Sequence, residues 1–133
     1  MSKSILLSIH PKWAEKIYSG EKTIEWRKSF PKDFISFQTK VYLYETAPVK
    51  KITGVFFLET VIYLTTACFE KGISQAYIEN GCVPLEDLKK YKGNSGSLYG
   101  WRVTLPCRHN PRPLTDFGVE RAPQSWQYVE VKE

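Results

Sequence analysis

The run Gly20-Glu21-Lys22-Thr23-Ile24-Glu25-Trp26-Arg27 places a lysine, a carboxylate and an arginine in one short segment that otherwise reads as a strand. A strand sends alternate side chains to opposite faces. Ile24 and Trp26 can then face a core, while Thr23, Glu25 and Arg27 share the other face. Lys22, where the strand begins, can join them through an irregular backbone. A lysine, a carboxylate and an arginine on one rigid face can bind a polar or anionic ligand, or pass protons in acid–base chemistry. The alternative is an exposed strand face on which Glu25 and Arg27 pair with each other.

The elements around this run follow from local pattern. Ser4 to Ile9 is β-prone. Pro11 suits the first turn of a helix. Trp13, Ala14 and Ile17 then fall at helical spacing up to Ser19, with Gly20 as its C-terminal cap. Lys28 to Gln38 reads as a loop, Thr39 to Glu45 as an alternating strand, and Ile52 to Leu64 as a long β-rich run interrupted at Glu59. Thr65 to Gly81 reads as one helix or two, broken at Gly72-Ile73-Ser74, and Val83 to Tyr91 as a further helix. Ser97 to Leu105 is a strong strand. Pro106 to Ala122 reads as an irregular, Pro-rich arm, and Gln127 to Val131 as a last short strand. These elements predict an α+β fold: a small mixed β-barrel of about five to six strands, with helices after the first strand and in the middle of the chain. One domain over 1–133 is expected.

Composition narrows the partners. Lys and Arg number 19 against 14 Asp and Glu, a formal net charge of +5, which admits nucleic acid or an anionic ligand. Aromatics make up 14% of the chain, and such residues serve both β-cores and base stacking. The three cysteines, Cys68, Cys82 and Cys107, match no zinc or redox spacing and are expected as buried or part-buried free thiols. His10 and His109 lack ligand neighbours, so neither a metal site nor a cofactor is expected. No apolar run approaches a membrane span. The apolar stretch before His10 and Pro11 is too short for a signal peptide, and a cytoplasmic protein with no membrane partner is expected.

Three stretches carry a family resemblance. They are Leu6-Leu-Ser-Ile-His-Pro-Lys-Trp-Ala-Glu-Lys-Ile17, the Gly20–Arg27 run, and Gly100-Trp-Arg-Val103. Together they resemble the ASCH domain family of the PUA-like superfamily. The closing Arg121-Ala-Pro-Gln-Ser-Trp126 is similar to the end of a bacterial and phage subgroup. The resemblance implies a β-barrel with a helix-gated cleft and a role with RNA or modified nucleosides. Some members are similar to amidohydrolases that deacetylate N4-acetylcytidine, and others are ribonucleases. In the amidohydrolases the catalytic groups are the Lys of a Gly-x-Lys motif, a Thr three residues later, and a distant Glu. Lys22 matches the first. Glu25 stands where the Thr would be, and Glu59 and Glu70 lie in the region of the third.

Three functions remain open. The first is an RNA- or nucleotide-binding module. There Lys22 and Arg27 contact phosphate or a carbonyl, Glu25 accepts from a base amino group or holds the basic side chains in place, and Trp13, Tyr99 or Trp101, and Trp126 stack on bases, with Arg102 and Ser125 beside them; core burial is the competing reading for Trp13 and Trp101. The second is a hydrolase of RNA or modified nucleosides, with Lys22 as base or nucleophile, Glu25 as proton shuttle and Thr23 as a nearby hydroxyl. The third is a regulatory module whose Arg-rich arm (Arg108, Arg112) meets a protein partner.

Overall fold

A computed structural model describes residues 3–131. Met1 and Ser2, part of the signal-peptide reading, lie outside the described residues. Six strands and four helices follow in the order β1 (Ser4–Ile9), α1 (Pro11–Ser19), β2 (Ile24–Arg27), β3 (Lys40–Glu45), β4 (Lys51–Thr65), α2 (Thr66–Lys71), α3 (Gln75–Gly81), α4 (Leu85–Lys92), β5 (Ser97–Arg112) and β6 (Trp126–Val129), with a 3-10 turn at Leu114–Phe117. The strands form one mixed sheet, ordered β2-β5-β4-β3-β1-β6. Among the described residues only β1 and β3 run parallel, with Ile5 opposite Val41 and Ile9 opposite Glu45.

Both faces of the sheet are covered, which is why β1 reads as an almost unbroken apolar run. Ile5, Leu7 and Ile9 pack with Ala14 and Ile17 of α1, Val41, Leu43, Phe56, Leu58 and Trp101. Leu6, on the opposite face, packs with Tyr42, Ile52, Phe117 and Val129. A third cluster joins Ile24 and Trp26 of β2 to Leu64, Leu88 and Leu98. Helix α1 starts where the His10 imidazole accepts from the Lys12 amide, and stops at Gly20, whose φ of 87° suits a residue without Cβ.

The expected closed barrel is not formed. Among the described residues no ladder joins the end strands β2 and β6. Side chains bring these ends together instead. Arg27 on β2 donates through Nη2 to the Ser8 carbonyl of β1 at 2.8 Å and through Nη1 to Ser125 Oγ, just before β6, at 3.3 Å. The strand expected to end at Leu105 continues to Arg112, and the irregular arm is shorter than its sequence indicates. The prolines are tolerated because the β4–β5 register shifts there: Val55 faces Cys107 and Phe57 faces Thr104, leaving Leu105 (φ 51°) and Pro106 in a bulge. The arginines of this segment turn to their own chain. Arg108 lies over the Tyr18 ring and pairs with Glu15, and Arg112 lies over Phe117 and pairs with Asp116. Cys68 and Cys82 are half-buried as expected, but Cys107 is exposed, because it sits beyond the bulge at the edge of the covered sheet.

Candidate functional site

Alternation along β2 holds as read from the sequence, but the charged face is buried as deeply as the apolar one. Lys22 is 1%, Glu25 6% and Arg27 9% exposed. Lys22 is placed from both sides: its amide donates to the Lys16 carbonyl at the end of α1, and the next amide, Thr23, donates to the Asn80 carbonyl of α3. Its ammonium lies 3.4 Å from Glu25 Oε1, donates to the Gly81 carbonyl, and stands 5.1 Å from the centre of the Trp13 ring. Glu25 Oε2 takes a forked contact from Arg27, at 2.9 Å from Nε and 2.7 Å from Nη2. Burial alone would raise the Glu25 carboxyl, but the charges of Arg27 and Lys22 outweigh it and hold the group below its ordinary 4.5. Glu25 is therefore an ionised acceptor fixed between two cations.

This triad lines a cavity of about 450 Å³, within the range of small-ligand pockets. Its buried floor carries Lys22, Glu25, Trp26, Arg27 and Leu88, and its outer wall carries Asp87, Tyr91 and Gln124. Trp13 of α1 and Ser125 complete the lining. Asp87 and Tyr91, one helical turn apart on α4, were not identifiable as site residues from their own neighbourhood. The early acids of α4 read as helix-end charges, and only the docking of α4 over β2 brings them here. Burial raises the Tyr91 phenol above 10.0, so it remains a donor. Two exposed lysines flank the mouth: Lys12 stands 4.7 Å from the Trp13 ring centre and Lys28 5.1 Å from that of Tyr91.

Of the residues expected at the site, Lys22, Glu25, Arg27, Trp13 and Ser125 meet in the cavity. The others do not line it. Thr23 spends its backbone on Asn80 and Val103 and stands just outside the strand. Trp101 is fully buried core, its indole donating to the Ser29 carbonyl. Tyr99 packs against Phe30 and Tyr63. Arg102 faces Ile24 in register, so strand parity sets it on the side away from Glu25. Trp126 stacks edge-on against Trp101, beside the cavity. Glu59 on β4 and Glu70 on α2 are also off the lining; the carboxylate on the wall opposite the triad is that of Asp87.

The Gly81 turn seals the inner end. A Cβ on Gly81 would lie 2.2 Å from Trp26 Nε1, an indole nitrogen that is buried with no hydrogen-bond partner. The missing side chain lets the Gly81 carbonyl reach Lys22. Gly81→Ala is expected to cost about 1–3 kcal/mol by overpacking and to loosen the turn from Lys22. Denaturant midpoints check this, and a neutral substitution would show that the indole can yield.

These features define a small α+β domain whose sheet ends meet over a buried Lys–Glu–Arg cavity. The family model for the ASCH domain matches residues 7–111, and the chain belongs to that family. An ASCH domain-containing ribonuclease of Zymomonas mobilis is 35% identical over 60 residues, covering 45% of this chain and 39% of its own. Large ribosomal subunit protein uL22 of Ureaplasma parvum is 27% identical over 133 residues, covering 96% of this chain and 40% of its own. Each match spans about two fifths of the relative's length. The crystal structure of ASCH from Zymomonas mobilis superposes with a TM-score of 0.79 at 20% identity, covering 96% of this chain and 88% of that one, a likeness of fold. Among the described residues no helix is long and apolar enough to cross a membrane.

Proposed function

We propose that this domain binds RNA by taking one unstacked nucleobase into the Lys22–Glu25–Arg27 cavity. The observation that carries this reading is the charge balance of a deep site. Lys22 and Arg27 meet Glu25 in the floor, Asp87 stands on the outer wall, and both cations are already engaged by Glu25 and by backbone carbonyls. Such a cavity has no surplus positive charge for a phosphate. It does offer fixed acceptors for base amino groups, from the two carboxylates, and a donor for a base carbonyl, from the Tyr91 hydroxyl. Phosphates then belong outside, on Lys12 and Lys28 at the mouth. Family membership, the ribonuclease name of the Zymomonas relative and the net charge of +5 agree with an RNA ligand.

RNA cleavage is the second reading, favoured by that relative's name. The 2′-hydroxyl would attack the adjacent phosphate and expel the 5′-oxygen, with Asp87 taking the proton and Tyr91 supplying one to the leaving oxygen. Lys22 serves here as a fixed charge. Its ammonium is directed at Glu25, Gly81 and the Trp13 ring, so a role as free base would require it to leave all three.

The test is a labelled single-stranded RNA run on native and denaturing gels with wild type, Lys22→Ala, Arg27→Ala, Asp87→Asn and Lys12→Ala/Lys28→Ala, with circular dichroism to confirm folding. Lys22→Ala is expected to weaken binding roughly tenfold or more, as for loss of a buried charged partner. The double lysine variant is expected to weaken binding and flatten its salt dependence by about two phosphate contacts. Fragments that depend on Asp87 would establish the cleavage reading. Folded Lys22→Ala and Arg27→Ala proteins that bind as wild type would remove the cavity from consideration.

A further inference from the structure

The gap where the sheet fails to close is stitched by three side-chain bonds in sequence order along both of its edges. Arg27 bonds Ser125, the Trp126 indole donates to Ser29 Oγ at 2.9 Å, and the Tyr128 hydroxyl donates to the Asp33 carboxylate. One edge is β2 and the loop after it. The other is the approach to β6 and β6 itself. The nucleobase cavity lies at the Arg27–Ser125 end. A second pocket, of about 220 Å³, lies at the Asp33–Tyr128 end, lined by Lys3, Pro31, Asp33, Phe34, Thr39 and Tyr128. Between the pockets, Trp126 meets Tyr128 with ring centres 5.4 Å apart and planes at 83°.

We infer that this seam is a track for a single strand of RNA, and that the pocket at Tyr128 is a second base subsite for a nucleotide near the one held in the cavity. The inference rests on the reading of the cavity given above and deepens it: the ligand is an oligonucleotide, not a free nucleoside. Four observations support it. The second pocket has half the volume of the first, a space for a planar base. Ser125 to Tyr128 is three residues of nearly extended chain, about 10 Å, within the reach of neighbouring nucleotides. Aromatic rings border the path, and such rings hold bases without regard to sequence. Lys3 stands 5.0 Å from the centre of the Tyr128 ring. A base stacking there would displace only a flexible ammonium group, which could then meet the phosphate beside it, and exposed Lys32 follows on the loop edge. Tyr128 stays a neutral donor, because burial and its bond to Asp33 push the phenol up to about 12.

The experiment measures binding of a fluorescein-labelled mixed-sequence hexaribonucleotide by anisotropy, and of the four ribonucleoside 5′-monophosphates by competition. Proteins are wild type, Lys3→Glu, Tyr128→Ala and Lys22→Ala. Lys3→Glu changes an exposed side chain and its contact with the Tyr128 ring without opening the core, so it remains informative if Tyr128→Ala unfolds. The hexamer is expected to bind at least roughly tenfold tighter than any monophosphate, and each seam variant to lose about five- to tenfold for the hexamer alone. Lys22→Ala is expected to weaken both ligand classes. Hexamer affinity unchanged in Lys3→Glu and in folded Tyr128→Ala, with monophosphates still bound through Lys22, would overturn the track and leave the cavity reading standing. No binding of either ligand class would overturn both.

Discussion

Replacing Glu25 with alanine is expected to destabilise the protein by about 3–5 kcal/mol, the cost of stranding a buried charge partner. Here two cations are stranded: Lys22 and Arg27 both lose their carboxylate while less than a tenth of each is exposed. Arg27 also spans the gap between the sheet ends, so the loss loosens β2 from β1 and from the approach to β6. Urea midpoints measure the effect; a loss below about 1 kcal/mol, the scale of an exposed pair, would mean that water reaches the triad freely. Glu25→Gln separates charge from shape. Because Glu25 is held below 4.5 in the folded state, the unfolded chain binds more protons between that depressed value and 4.5, and stability rises with pH across this window. The contribution is complete above 4.5 and is lost as the pH falls through the folded value. Glu25→Gln is therefore expected to be less stable at neutral pH and to lose less on acidification than wild type. Equal acid sensitivity in the two proteins would assign the acid limb to other carboxylates.

The second large effect is expected at Trp101. Trp101→Ala should cost about 3–5 kcal/mol and lower the thermal midpoint by roughly 10 °C or more. The ring is fully buried against β1, β3 and α1, packs edge-on against Trp126 at 5.8 Å, and ties the loop after β2 through Ser29. Trp126→Ala, at a half-buried ring beside the cavity, should cost less stability and more RNA affinity. The pair thus distinguishes core from contact surface. Equal stability losses with equal RNA affinity would place Trp126 in the core with Trp101.

Period and punctuation made much of the fold legible. Gly20 marks the end of α1, the break at Gly72-Ile73-Ser74 separates α2 from α3, and the alternation of Ile24 and Trp26 with Glu25 and Arg27 predicts which side chains meet. Two features were not legible for physical reasons. Pro106 reads as a strand breaker unless the register of its partner is known, and the register shift opposite Val55 is a property of both strands. Closure of the sheet depends on whether β2 and β6 find each other's backbone, and here a guanidinium, an indole and a phenol hydroxyl fill that role. The site was half legible. Lys22, Glu25 and Arg27 share one local pattern, whereas Asp87 and Tyr91 reach the cavity only through the packing of Leu88 with Ile24 and Trp26. Parity in the β2–β5 pairing, invisible before register is known, is what removes Arg102.

Helices α2 to α4 all lie within one connection. Thr65 and Ser97 face each other across the β4–β5 ladder, and the chain between them leaves and returns at the same point. The cost of closing such a connection grows only slowly with its length, so a change of length alone costs the sheet little. The cavity has one wall from the sheet and α1, which supply Lys22, Glu25, Arg27 and Trp13, and one from the insert, which supplies Val83, Asp87, Leu88 and Tyr91. The insert thus shapes one wall for the ligand, and through Leu88 and the Gly81 carbonyl it also braces β2 and Lys22. A segment exchanged for residues 66–96 must therefore keep a backbone carbonyl for Lys22 and an apolar footing for Ile24 and Trp26, and any new recognition surface it brings meets the Lys22–Glu25–Arg27 floor.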